Sequence, residues 1–558
     1  MSATSITVSP GRLSAAASSG LATLPVDLSH SPVLGIVGVI LGAGIVTMAG
    51  RLLTLGLADL KGSVGIGFDD GAWIPTAFNV ALMFIGPFSV YLGGLLGIRK
   101  VLFYSAAVFT VIAAFLPVVH NYGFMVGLLV VAGLTSGTFY PLTLTFALKN
   151  IPLRYLPLVI ALYATCIEGA VNFAPSIYGF CRNDLSWRWM FWIPALATPV
   201  MMACIYFGIP ASTGPRSKKQ PPSFAGFLYL SAGLALLFAA LDQGQRLDWW
   251  RSGTFMALLA SGAFFLLCSL VRHLRSPNFL VDLPYLRDWN TILLGVALFA
   301  FRFALLATII IVPQSLSMRG LDPQQYGPSV LWTASFELFL AFIAALFLSK
   351  GFDSRLLMAT GFAAMAFACL LNANFTSAWA PENYLRSELL MGVGQSFAIV
   401  GLVASLVLQA AFSGGLSAPQ RALTFAAFFH TVRLFGGEVG GVFMGHFIAD
   451  REKLHSNLLG LHVQSGSWVT DGSLHQLAAG LSAKSSGLMA ATGRAVEIMA
   501  SRLRLQAYTL TFVDAFHLVA WACAGVLLLT VVLRKAPMTF AQIPLLQQAF
   551  TSTQRKNS

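Results

Sequence analysis

Seven ionisable residues fall inside long apolar runs of this 558-residue chain: Arg51, Glu168, Arg302, Glu337, Arg433, Glu438 and Asp514. A charge held in hydrocarbon is costly unless it faces a partner or a wet cavity. Three cations and four acids nearly balance, which suggests pairing. Two chemistries suit such a set. A buried carboxyl can carry a proton, and Glu168, Glu438, Glu337 and Asp514 are the candidates, Asp514 standing close to the edge of its run. An arginine fork matches a carboxylate geometrically. Arg51, Arg302 and Arg433, with His430 three residues before Arg433 on one helical face, are therefore candidates to line a cavity for an anionic or neutral amphipathic molecule. The plainer alternative is that acids and arginines lock helices together, and that His430 is a packed core histidine.

The elements that must position these residues follow from composition. Only 10% of the residues are charged and 57% are hydrophobic. A soluble domain carries about 25% charged residues, and a chain this poor in charge cannot cover a water-facing surface. Soluble enzymes, nucleic-acid binders and disordered scaffolds are excluded. Fourteen apolar runs approach the roughly 20 residues that a helix needs to cross a bilayer, so the sequence predicts an all-α polytopic membrane protein. The positive-inside rule orients it. One side of the alternation, which holds both termini, has eighteen Lys and Arg against four acids; the short loops of the other have seven against nine. Both termini are therefore expected in the cytoplasm, and the net charge of +13 reflects cytoplasmic loops rather than a nucleic-acid partner.

The runs group as six, two and six. The expected divisions are a cytoplasmic tail at 1–32, a six-helix half at 33–209 and a two-helix insert with its loops at 210–289. A second half follows at 290–534, with a tail at 535–558. Within the second half, 450–508 is a long outer segment that reads as helical and amphipathic. It is expected to lie on the membrane surface or to dock a periplasmic partner. The halves show traces of a repeat. Gly44, Ala49 and Arg51 match Gly295, Ala300 and Arg302 in spacing, and Glu168 with Phe173 matches Glu438 with Phe443. This pairs span 1 with span 9 and span 5 with span 13, and places Arg51, Glu168, Arg302 and Glu438 on helices that face a central cavity. Pro141 and Pro175 can bend their helices. Gly436, Gly437 and Gly440 suit tight helix packing. The six cysteines have no metal spacing and read as small core residues. No phosphate loop is present and no enzymatic constellation appears.

Three stretches are hard to explain as generic hydrophobicity: Leu241-Asp242-Gln243-Gly244-Gln245-Arg246-Leu247-Asp248-Trp249, the segment Pro277 to Asn290 with Val281, Asp282, Leu283 and Arg287, and Phe429 to Gly440 with Arg433 and Glu438. With these, the chain resembles the fourteen-span drug:proton antiporters of the major facilitator superfamily, the EmrB/QacA type. The resemblance covers nearly everything after residue 33. It implies the major facilitator fold, alternating access, and efflux of amphipathic small molecules driven by the proton gradient, with no other cofactor. In Gram-negative members it implies an inner-membrane location and a periplasmic adaptor of the membrane-fusion type. Gly97, Arg99 and Lys100 match the end of the family's gating loop between spans 2 and 3, and Pro175 part of its span 5 motif. The chain departs from the family at Gly50-Arg51, where an acid is usual, at Gly94-Leu95 in the gating loop, and at Leu129 in span 4. These departures keep two rivals open: an organic-anion transporter with altered or no proton coupling, and a non-transporting receptor or scaffold.

Overall fold

The computed structural model describes residues 32–150, 155–209, 224–275, 283–412, 419–464, 466–482, 488–536 and 539–542. Residues 1–31, 210–223 and 543–558, which hold most of the expected tails and the loop into the insert, lie outside these, as do 276–282 of the second resemblance stretch. Among the described residues every regular element is helical. A run of about 20 apolar residues in lipid satisfies every backbone N–H and C=O within its own segment by forming a helix.

The first half comprises α1 (Pro32–Leu55), the short α2 (Leu57–Val64), α3 (Phe68–Leu96), α4 (Ile98–Phe115), α5 (Tyr122–Ser136), α6 (Phe139–Asn150), α7 (Leu156–Phe180) and α8 (Trp189–Gly208). The insert is α9 (Phe224–Gly244) and α10 (Gly253–Arg275). The second half opens with α11 (Trp289–Ala304), a π-helical turn at Ala307–Ile311, and α12 (Val312–Ser317). It continues through α13 (Pro323–Ser335), α14 (Glu337–Ser349), α15 (Ser354–Asn372), α16 (Leu385–Phe412), α17 (Pro419–Gly460), α18 (Trp468–Ser482) and α19 (Leu488–Val532). Thirteen helical segments among the described residues are long and apolar enough to cross a membrane. The fourteenth expected run, 422–448, falls in α17. That helix has 42 residues, and Arg433, Glu438, Asp450 and Arg451 dilute its apolar character.

Within the first half α1 packs on α6, α7 and α8, and α3 on α5; within the second, α15 packs on α16 and α19, and α11 on α17. Small residues allow the closest approaches. A methyl on Gly208 would lie 2.1 Å from the backbone nitrogen of Gly35, and one on Gly361 would lie 2.1 Å from that of Ala398. The halves meet where α7 lies against α13, α14 and α16, and where α17 lies against α3 and α6; the insert helix α9 touches α3 and α17 together. Gly97 links α3 to α4 with φ 92°, a backbone region that glycine enters without a Cβ clash. Beside it Arg99 stacks on Tyr206.

Residues 450–508 are largely helical, as their pattern suggested. Residues 450–460 continue α17, and 488–508 open α19, with α18 packed on α19. The extensions are pinned together by charge. Arg451 Nε and His455 Nε2 each lie 2.7 Å from Asp514 Oδ2, and Arg504 reaches Glu452 at 3.5 Å. The six cysteines are free, four of them buried.

Gly361→Val forces apart two backbones in contact and should cost about 2 kcal/mol or more, as overpacking does. Gly441→Ala, which adds a methyl with nothing within 4 Å, should change little. Thermal unfolding of the two variants in detergent checks this.

Candidate functional site between the two halves

Glu168 occupies the middle of α7 and is 2% exposed. Its Oε1 lies 3.7 Å from Nη1 of Arg302, which comes from α11 in the other half. Arg302 is seated by the small-residue face of α17. A methyl on Gly437 would stand 3.1 Å from its Nη2, while Gly436 abuts Arg302 and Phe299, and Gly440 abuts Phe303 and Leu306. These glycines thus serve close packing, and they do so beside the arginine.

One helical turn after Glu168, on the same face, Asn172 donates from Nδ2 to Glu337 Oε1 and to Gln395 Oε1, each at 2.8 Å. Gln395 in turn donates to Thr308 at 3.0 Å, in the π-helical turn. Glu337 begins α14 after the chain breaks at Phe336, and is itself 2% exposed. A polar line therefore runs from α7 across the boundary into α14, α16 and the turn after α11. Sequence reading found Glu168 and Glu337 but not Asn172 or Gln395. The available signal was the i, i+4 spacing of Asn172 from Glu168; Gln395 stood as one amide in an apolar run.

Arg51 and Arg433 behave differently from Arg302. Arg51 Nη2 donates across the boundary to the Ile309 carbonyl at 2.8 Å. That carbonyl sits in the π-helical turn, where the regular helical ladder is interrupted. The Arg433 guanidinium lies over the Tyr140 ring, 3.9 Å from its centre, a cation–π contact between α17 and α6; the Tyr140 hydroxyl bonds Thr47 of α1. Neither arginine forms an ion pair among the described residues. His430 is buried with Nε2 at 3.4 Å from the Leu82 carbonyl, and its ring fills the space at Gly86, which fits the packed-core reading. Several polar atoms of this cluster make no hydrogen bond: Glu168 Oε2, Glu337 Oε2, and Nε of Arg51, Arg302 and Arg433. Buried polar atoms are ordinarily satisfied, so this interface holds spare capacity to bind a polar group.

The expected convergence of Arg51, Glu168, Arg302 and Glu438 is only half met. Glu168 and Arg302 pair, whereas Arg51 takes a backbone carbonyl and Glu438 faces Asp242 of the insert, beside the contact of Phe238 with Phe435. The twofold likeness of the halves is broken because α9 stands beside α17 and supplies that partner. Asp514 lies away from this interface, in the ion cluster with Arg451 and His455. Pro175 lies buried within α7. Of the aromatic residues on the helices around this cluster, Phe78, Phe139, Tyr140 and Phe301 are buried, while Trp332 and Phe173 are exposed. The loop tally also misplaced Glu388. One of the nine acids counted to the short loops, it is 0% exposed in the first turn of α16 and accepts from Thr333 of α13 at 2.6 Å.

With this geometry in place the comparisons can be read. The sequence matches the Major Facilitator Superfamily over residues 39–441. Fatty acid resistance protein FarB of Neisseria gonorrhoeae is 23% identical over 424 residues, 76% of this chain and 81% of that protein. Multidrug export protein EmrB of Haemophilus influenzae is 22% identical over 76% of this chain and 82% of that one. Colistin resistance protein EmrB of Acinetobacter baumannii is 22% identical, with 80% and 86% covered. Among solved structures, the proton:xylose symporter XylE superposes with a TM-score of 0.53 at 12% identity, over 92% of this chain and 98% of that one. The human organic anion transporter MFSD10 gives 0.51 at 13%, over 88% and 99%. At that identity the two structures speak for the fold alone. A match across the greater part of the chain, on a helical fold of two packed halves, makes this protein a member of the Major Facilitator Superfamily.

Proposed function

We propose that the protein is a secondary active transporter that exports amphipathic small molecules by alternating access, in exchange for protons. The names of the relatives support efflux as the direction. The observation that carries the mechanism is the polar line at the boundary of the halves, with Glu168 and Glu337 buried and each keeping an unbonded carboxyl oxygen. A group that must gain and lose a proton as the halves rock needs this position. The basic loop bias supports an inner-membrane location with both termini cytoplasmic. The pinned extensions of α17 and α19 would stand on the opposite side, where a periplasmic adaptor could dock.

A specific observation favours anionic or neutral amphiphiles over cations. Three arginines face the boundary region, and only Arg302 has a carboxylate partner among the described residues. Arg51, bonded to a carbonyl and with Nε free, is the group best able to receive a substrate carboxylate. One relative's name is that of a fatty acid resistance protein, and a fatty acid is an amphipathic carboxylate.

Three outcomes follow. In proteoliposomes with an imposed pH gradient, at least one of Glu168→Gln, Glu337→Gln and Glu438→Gln should abolish substrate-driven proton flux while still binding substrate. Proton flux intact in all three would refute the antiport reading. Arg51→Met should weaken binding of a long-chain or aromatic acid about tenfold, the worth of roughly one charge-assisted hydrogen bond, and leave an ethidium-like cation unaffected. Equal export of both substrate classes by the unaltered protein would sink the anion preference. Arg302→Met should destabilise the fold by about 3 kcal/mol or more by stranding a buried carboxylate, and adding Glu168→Gln should restore most of that; denaturation in detergent measures it.

A further inference from the structure

The sequence stretch most characteristic of the insert, Leu241 to Trp249, builds a contact that the transport reading leaves unused. Asp242 lies at the end of α9, two residues before its last residue Gly244. Its carboxylate accepts from the Thr76 hydroxyl of α3. Gln243 anchors the same spot, donating to the Ala72 carbonyl at 3.2 Å and to Thr76, while its Oε1 accepts from Arg246 at 2.6 Å. Arg246 also reaches Asp69 at 3.1 Å and lies over Trp73. The turn that follows is strained to keep this arrangement. Asp248 and Trp249 both have positive φ, 59° and 49°, unusual for residues with side chains. The Trp249 ring packs against Gly244, where an added methyl would stand 2.4 Å from it.

On its other side Asp242 faces Glu438 of α17, about one turn along each helix from the contact of Phe238 with Phe435. A carboxylate has no proton to donate, so two acids that face each other can bond only by sharing one proton. No cation stands ready to replace it. Of the cations near α3, α9 and α17, Arg246 is held by Gln243 and Asp69, Arg302 by Glu168, and Arg433 by the Tyr140 ring. The remaining nearby acids, Asp69 and Asp70, would only add to the negative charge. Two further contacts tie the same helices: Phe238 meets Phe435 edge to face at 5.9 Å, and Gln245 Oε1 lies 3.6 Å from where a methyl on Gly445 would be.

We propose that Asp242 and Glu438 form a single proton-binding site, half of it supplied by the two-helix insert, whose proton fastens α9 to α17. With the proton bound, one acid donates to the other and α17 is held to the insert, and through Thr76 to α3. When the proton leaves, two carboxylates face each other without a counter-ion and the helices separate. The insert would then be a proton-sensitive brace on the mobile second half. This deepens the antiport reading, but its test reads helix proximity and not transport, so either idea can fail without the other.

The test is disulfide cross-linking in membrane vesicles, with the six native cysteines replaced. Cysteines at positions 238 and 435 report the α9–α17 contact. Cysteines at 229 and 265, whose rings stack at 6.1 Å within the insert, carry the same thiol chemistry as a reference. Relative to the reference, the 238–435 yield should fall about threefold or more between about pH 6 and about pH 10.5, as a shared proton is lost. Asp242→Asn and Glu438→Gln should each flatten that slope, because an amide N–H can donate to the remaining carboxylate at every pH. A flat relative yield in the unaltered pair overturns the proposal even if neither variant folds. So does an undiminished slope in both variants.

Discussion

Glu168 and Arg302 reach each other across the boundary of the halves because neither has bulk water to turn to. In a low-dielectric interior an unpaired charge costs more than almost any packing defect. That constraint orders much of what surrounds it. Arg302 needs a partner on α7, which ties the first half to the second. Its bulk beside α17 is accommodated by Gly436, against its Cβ and Phe299, and by Gly437, against its guanidinium. The same rule draws Arg51 to a carbonyl left over by a π-helical turn, and Arg433 to an aromatic face.

A transporter has to break such contacts and remake them, and the pattern here shows contacts of graded strength. The Asn172 bonds to Glu337 and Gln395 are short and buried, yet they join neutral donors to acceptors that a water or a substrate group can replace at modest net cost. The Glu168–Arg302 pair is longer, 3.7 Å, and several of its polar atoms remain unbonded. An interface built this way is held closed without being sealed. By contrast, the tightly packed glycine contacts within each half, such as Gly361 on Ala398, leave no slack. The halves are therefore suited to move as units.

The insert emerges as more than a spacer. α9 lies against α3 of one half and α17 of the other, and its strained exit turn exists to hold Asp242 and Gln243 in place. Toward the same end of α17, the charge cluster at Asp514 joins the extensions of α17 and α19 as a linked pair. Both features act on α17, the helix that carries Arg433 and Glu438.

Much of this was legible in the residues. The scarcity of charge excluded a soluble fold and the apolar runs marked the helices, because each follows from the local cost of placing a residue in lipid. Glu168, Glu337, Arg302 and Glu438 stood out for the same reason. Their partners did not. Whether Glu438 meets Arg51 or Asp242, whether Glu388 is a loop residue or a buried one, and whether 450–508 lies flat or stands as paired helices all depend on which helices are neighbours. Neighbourhood is set by close packing of surfaces far apart in the chain, and period and composition carry no record of it. The sequence by itself determined that charges sit in the membrane and how many must be satisfied; only the tertiary structure decided with whom, because a hydrogen bond is made in space between atoms that the chain order leaves hundreds of residues apart.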